Sequence, residues 1–348
     1  MGKHVGDGRL SSTRKKIALL KKSVDPGRPL WILMQNDPDP DAIASAMALR
    51  EVLGLKAAAA PMVTLKQVSR NENISMINLL RVKVAQVEIR DVFRAPQIAI
   101  LDAQPNLFPN LPDIVRVIID HHPIRGGYRG AFVDIRPDYG ATSAILTEYL
   151  EAEVAKISPR LATALYYAIK TDTLMHGRDV TEAGFRAFSK LWPLANHQMI
   201  SQMERPRMAS HEVDVFIRAL KAHFIERKCL FAELGRVQKE DLVPRIADFV
   251  LQIGDPEFAV AWGIFGSNVT FAARSLDPAI DSGAVLRGAF GRLGAAGGHK
   301  VMARATISLS VFRKEFGLGS SGKSAMKKLI LKEISAQKKG GRVRAYVA

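Results

Sequence analysis

From about residue 29 the chain alternates short, wholly apolar runs with longer stretches of helical periodicity. Trp31-Ile32-Leu33-Met34, Ala99-Ile100-Leu101 and Val117-Ile118-Ile119 lack the polar alternation of a half-exposed strand. Strands apolar on both sides belong to parallel sheets covered by helices on both faces. Residues 42–49, 142–150 and 159–170 carry the helical pattern, so the spacing predicts βαβ units and a Rossmann-like α/β fold. Asp41 is the expected cap of the first helix, and Thr142 or Ser143 of the second. Between 181 and 227 only helical signals appear, including 182–191 and 213–224. Strands return at 229–234, 258–265, 269–273 and 302–309, with a helix over 282–292. The stretch 291–299 is glycine-rich and is expected to be irregular.

These changes of pattern divide the 348 residues into five parts. A basic N-terminal extension (1–28) precedes a parallel-sheet domain (29–205), and a helical linker (206–227) leads to a smaller α+β domain with a mixed sheet (228–316). A basic tail (317–348), part Gly/Ser loop and part Lys-rich helix of low stability, closes the chain. That length accommodates two cores.

Charge adds a location rather than a cleft. The net charge is +16, yet residues 1–28 hold eight Lys/Arg against two Asp, and 313–348 hold ten against two Glu. The ends therefore carry +6 and +8, and the body is left near +2. Composition does not demand a basic nucleic-acid groove. The ends are expected to be solvated and partly disordered, open to loose RNA contact by counterion release. No apolar run approaches the roughly 20 residues that span a bilayer, and residues 1–22 lack the apolar segment of a secretory signal. The single cysteine, Cys229, excludes an internal disulfide and fits a reducing cytoplasm.

Chemistry gathers where the apolar runs stop. Asp37-Pro38-Asp39-Pro40-Asp41 follows the first strand, Asp102 the second, Asp120-His121-His122 the third, and Asp172 ends a helix. Pro38 and Pro40 stiffen the first loop, so Asp39 and Asp41 present their carboxylates at low entropic cost. In open α/β sheets this strand edge is where ligands bind. Taken singly, Asp41 reads as a helix cap and His121 as a surface histidine. Taken together, so many desolvated carboxylates need cations, and oxygen donors with imidazoles suit Mn²⁺ or Mg²⁺. The collection reads as a two-metal hydrolytic centre. Arg70-Asn71-Glu72-Asn73 and His176-Gly177-Arg178 are weaker candidates for a neighbouring surface, and His197, His211 and His223 read as structural.

Asp39-Pro40-Asp41-Ala42, Asp102-Ala103-Gln104, Asp120-His121-His122 and Asp172, in that order, resemble the motifs of the DHH phosphoesterase family. Arg274-Ser275 and Ala296-Gly297-Gly298-His299 resemble the substrate-binding motifs of its DHH-associated C-terminal domain. The resemblance implies one ion on Asp39 and Asp102, and another on Asp41, Asp102, His121 and Asp172, with Asp102 bridging. It implies that His122 contacts the scissile phosphate or protonates the leaving oxygen, oriented by Asp120. Arg274, Ser275, Gly297, Gly298 and His299 would grip a phosphate or nucleotide. Two departures stand out. The family's usual histidine four residues before the first motif aspartate is Gln35, which is expected to weaken the first metal site. The first glycine of the Gly-Gly-Gly-His run is Ala296.

Within the family, this domain pairing is similar to oligoribonucleases of the nanoRNase type that also dephosphorylate 3′-phosphoadenosine 5′-phosphate. The implied activity is hydrolysis of short oligoribonucleotides or linear dinucleotides to mononucleotides. Phosphatase action on the bisphosphate, exopolyphosphatase action and a non-catalytic nucleotide- or RNA-binding role are the alternatives. A homodimer remains open.

Overall fold

The computed structural model describes residues 2–345 apart from 109–110, 112–114, 128, 174–180, 207 and 318. The chain divides into two compact units, Met1–Arg207 and Met208–Ala348.

The first unit runs α1 (Gly2–Ser23), β1 (Leu30–Leu33), α2 (Pro40–Leu53), β2 (Met62–Thr64), α3 (Asn71–Leu79), β3 (Val84–Gln86) and α4 (Ile89–Val92). It continues with β4 (Gln97–Leu101), β5 (Val115–Asp120), β6 (Phe132–Ile135), α5 (Thr142–Ala152), α6 (Pro159–Asp172), α7 (Glu182–Leu191) and α8 (His197–Glu204). Its six strands form one parallel sheet in the order β3-β2-β1-β4-β5-β6. The apolar runs on both faces are the reason. Ile32, Ala99, Leu101, Val117 and Ile119 join the core shared with α1, α2, α5 and α6. Leu33, Ile98, Ile100 and Ile118 point the other way, into a thinner core with Val92 and Phe108. Strand order reverses between β1 and β4, so the crevice beyond their carboxyl ends is the topological switch point.

The second unit comprises α9 (Ser210–Ala222), β7 (Phe224–Glu226), β8 (Cys229–Arg236), α10 (Leu242–Val250), β9 (Phe258–Phe265) and β10 (Asn268–Ser275). After these come α11 (Ser282–Phe290), β11 (Ala295–Gly298), β12 (Met302–Ser308), α12 (Leu309–Phe316) and α13 (Ser320–Ala345). Its sheet has the order β11-β12-β10-β9-β8-β7 and is mixed: β8 and β9 are parallel, the other pairs antiparallel. Phe231, Phe258, Val260 and Phe271 pack towards α11, α12 and α13, whereas Leu230, Ala232, Ala259 and Ala261 pack towards α9 and α10.

Four expectations from the sequence are corrected here. Residues 1–28 are not merely a solvated extension: within α1, Ile17 and Leu20 are fully buried and Lys16 pairs with Asp134. In α13, Met326, Ile330, Leu331 and Ile334 are buried as well, so apolar stripes at helical spacing outweigh the high charge at both ends. The stretch 291–299 contains a strand, β11, because a backbone without bulky side chains can ladder closely against β12. A Cβ on Gly298, at φ +142°, would lie 2.5 Å from the Cα of Ala303. Finally, the helical linker expected over 206–227 belongs largely to the second unit, since Val215 and Ala219 of α9 share the core of β8 and α10.

Candidate metal centre

Asp39, not Asp41, caps α2: its Oδ1 accepts from Ala42 N at 3.0 Å. Pro40 takes the first helical position, where its missing N–H costs nothing, and the cap moves back by two residues. Asp41 is thereby released for a distant task. Its two carboxylate oxygens accept from the amides of Thr142 (2.7 Å) and Ser143 (2.8 Å) at the start of α5. The hydroxyls of those two residues do not cap α5, as the sequence suggested; Ala141 occupies the cap position and the carboxylate comes from α2 instead. A helix N-terminus is favourable ground for a carboxylate.

The loop carrying these aspartates is held from below. Asp37, at φ +56°, accepts from the amide and hydroxyl of Ser69 at 2.8 and 2.6 Å. Asn73, buried in α3, donates to the Pro38 carbonyl at 2.9 Å. The candidate stretch 70–73 is thus mostly the first turn of a helix, with Asn73 as a strut. His176-Gly177-Arg178 lies outside the described residues.

Asp102 follows β4 with φ +55°, a conformation that Asp tolerates better than most residues. Its amide donates to Ile119 O, and its Oδ1 accepts from the Thr142 hydroxyl at 3.1 Å. The side chain is almost wholly buried. Burial, with Asp39, Asp41, Asp172 and Asp120 around it, pushes its carboxyl well above the usual range. Burial and Asp41 push Asp39 upward too. Groups that resist ionisation in this way are calling for positive charge.

His121 supplies a test of what that charge is. Its Nδ1 lies 3.1 Å from the Tyr139 carbonyl, which can only accept, so the ring proton belongs on Nδ1. Nε2 faces Asp172 Oδ2 (3.1 Å) and Asp102 Oδ1 (3.5 Å), where the neutral ring that a metal ligand requires presents its lone pair. Three electron-rich atoms facing one another are stable around a cation. Ligand atoms of Asp41, His121 and Asp172, and separately of Asp102, His121 and His122, lie within 4.8 Å of one another. The donor set suits a hard or borderline divalent ion. Gln35 sits beside it, donating from Nε2 to Asp39 Oδ2 (3.0 Å) and Asp102 Oδ2 (3.3 Å).

Asp120 ends β5 with no solvent exposure and accepts from His122 Nδ1 at 2.8 Å. Its other oxygen accepts from Gln104 Nε2 at 2.6 Å. Burial alone would raise Asp120, but these two hydrogen bonds outweigh it and hold the carboxyl below its ordinary value. The same bond raises His122, whose ring is half exposed. Gln104 and the Tyr139 carbonyl had no role assigned from sequence, and Thr142 only that of a helix cap. Gln104 stood within a quoted motif and was the legible one; the other two act only through chain folding.

In the second unit, Arg274, Ser275, Gly297, Gly298 and His299 gather at one end of the mixed sheet, where Ala273 pairs with Ala303 and Ala303 with Gly298. Arg274 is engaged by Asp248 at 2.5 and 3.1 Å. Ser275 Oγ donates to the Asp277 carbonyl, and His299 is exposed. Among the remaining histidines, His197 packs on Trp192, and His223 bonds to the Leu220 carbonyl.

Comparison with known proteins gives this geometry a context. Residues 29–169 match the DHH family, N-terminal domain. An uncharacterised protein of Methanocaldococcus jannaschii is 32% identical over 328 residues, 93% of this chain; the chain spans 66% of that relative's length. A crystal structure of an exopolyphosphatase-related protein from Bacteroides fragilis superposes with a TM-score of 0.70 at 13% identity. That alignment covers 93% of this chain and 98% of the other, so the fold is shared across both units. Among the described residues no helix is long and apolar enough to cross a membrane.

Proposed function

The chain belongs to the DHH family through its N-terminal domain, residues 29–169, and from that premise we propose that it is a metal-dependent phosphoester hydrolase. The observation that carries the proposal is the convergence of Asp41, Asp102, His121 and Asp172 at the switch point of a parallel sheet. A divalent ion held there, Mn²⁺ or Mg²⁺, would offset phosphate charge and make a water nucleophilic near neutral pH.

The protein's own groups define the rest. Asp102 and Asp41 are fixed by Thr142 and Ser143, so their oxygens are aimed before substrate arrives. His122, held by Asp120 and half exposed, would donate a proton to the leaving oxygen. Its ring is anchored through Nδ1, leaving Nε2 for that transfer. Arg274, Ser275 and the Gly297-Gly298-His299 segment of the second unit would bind a phosphate or nucleotide, with Arg274 exchanging Asp248 for a phosphate. On the resemblance of those segments, the substrates are short oligoribonucleotides or linear dinucleotides, cleaved to mononucleotides.

A labelled diribonucleotide, 3′-phosphoadenosine 5′-phosphate and polyphosphate, each with Mn²⁺, Mg²⁺ or a chelator, test the proposal. Mononucleotides should appear from the dinucleotide, vanish with chelator, return with Mn²⁺, and be absent with Asp102→Asn. Undiminished turnover by Asp102→Asn, or no turnover of any phosphoester with either metal, would overturn it.

A further inference from the structure

The residues around Asp102 divide into two unlike halves. On one side, His121 Nε2 faces Asp172 and Asp102, and Asp41 completes the group. On the other, the space between Asp39 and Asp102 is bridged by the Gln35 side chain. Both neighbours of that amide are carboxylates, which accept only, so its NH₂ end must face them. Each carboxylate is also divided: Asp39 gives Oδ1 to Ala42 and Oδ2 to Gln35. Asp102 likewise gives Oδ1 to Thr142 and Oδ2 to Gln35.

An amide in this position does part of a cation's work. Two donated N–H bonds offset the mutual repulsion of Asp39 and Asp102. The same NH₂ offers no lone pair, so it cannot ligate an ion in the gap it fills. Neither metal-capable group among the described residues includes Asp39.

We propose that this protein holds one divalent cation per chain, at Asp41, Asp102, His121 and Asp172, and that the Gln35 amide stands in for a second ion between Asp39 and Asp102. The inference rests on the metal-dependent reading above and fixes its stoichiometry. The single ion and the amide divide the labour: one side of Asp102 is neutralised by metal, the other by hydrogen bonds. A phosphate would then meet one metal ion, with Gln35 holding Asp39 and Asp102 in register.

Mn²⁺ itself is the probe. Equilibrium dialysis of the full-length protein with elemental analysis should give one Mn²⁺ per chain at saturation. Its electron paramagnetic resonance should be the hyperfine pattern of an isolated ion. Gln35→His should take up a second ion and show an exchange-coupled pair. Gln35→Glu, whose carboxylate has the reach of the amide, makes the same test should the imidazole not pack. Asp39→Asn keeps an oxygen for the Ala42 cap and should leave the count at one, whereas Asp172→Asn should lose the ion. Two coupled ions in the unaltered protein overturn this inference alone, and no bound ion overturns both it and the reading beneath it. Folded Gln35→His and Gln35→Glu variants that still hold one ion overturn the assignment to the amide.

Discussion

Thr142 shows how much of this centre depends on residues with no metal-binding chemistry of their own. Its amide fixes Asp41 and its hydroxyl fixes Asp102, so one residue of α5 ties together groups that come from α2 and from the end of β4. Thr142→Val keeps the shape and the amide but removes the hydroxyl. We expect Mn²⁺ affinity to fall about tenfold with the melting temperature little changed, as for other groups that orient a ligand. Titration calorimetry beside a thermal melt checks both halves. The candidate ligands Asp41, Asp102 and His121 could be read from the sequence, since carboxylates and imidazoles at strand ends announce themselves. Thr142 could not, because a threonine at a helix start has an ordinary local explanation as a cap.

At the scale of the element, α1 and α5 are joined to β6 by a buried polar network. Glu148 accepts from Arg9, Thr13, Arg136 and Tyr139, and Asp134 from Lys16, Arg136 and Tyr149. Burial alone would raise the Glu148 carboxyl, but hydrogen bonds from Tyr139, Thr13 and Arg136 outweigh it and hold it at about 2, against an ordinary 4.5. A depressed carboxyl stabilises the fold above its unfolded-state value and loses that contribution as pH falls through the folded one. Here the difference amounts to roughly 3 kcal/mol. Glu148→Gln should therefore be less stable at neutral pH by about that amount. Its unfolding free energy should change less steeply than that of the unaltered protein between pH 4.5 and about 2, by urea titration at several pH values. The strand β11 gives a second test at this scale. Gly298→Ala forces a Cβ against Ala303 at a positive φ and should cost about 1–3 kcal/mol, seen as a lower melting temperature.

For the whole molecule, the termini decide more than their charge suggests. Removing residues 1–23 strips Ile17 and Leu20 from the first unit's core and leaves Glu148 and Asp134 without Arg9, Thr13 and Lys16. The shortened protein should melt at lower temperature and be cut faster by protease, rather than merely bind polyanions less. Limited proteolysis beside calorimetry distinguishes these outcomes. The sequence by itself determined the parallel sheet, the mixed second sheet and the residues that end the strands. Those properties follow from short-range periodicity and from chemistry carried by a single side chain. Only the tertiary structure decided that Asp39 is the cap and Asp41 the partner of α5, that Gln35 bridges two aspartates, and that both basic ends pack as helices. Each of these is a choice between partners far apart in the chain. A hydrogen bond between α2 and α5 spans about a hundred residues, and no local pattern records which of several competent donors an oxygen meets.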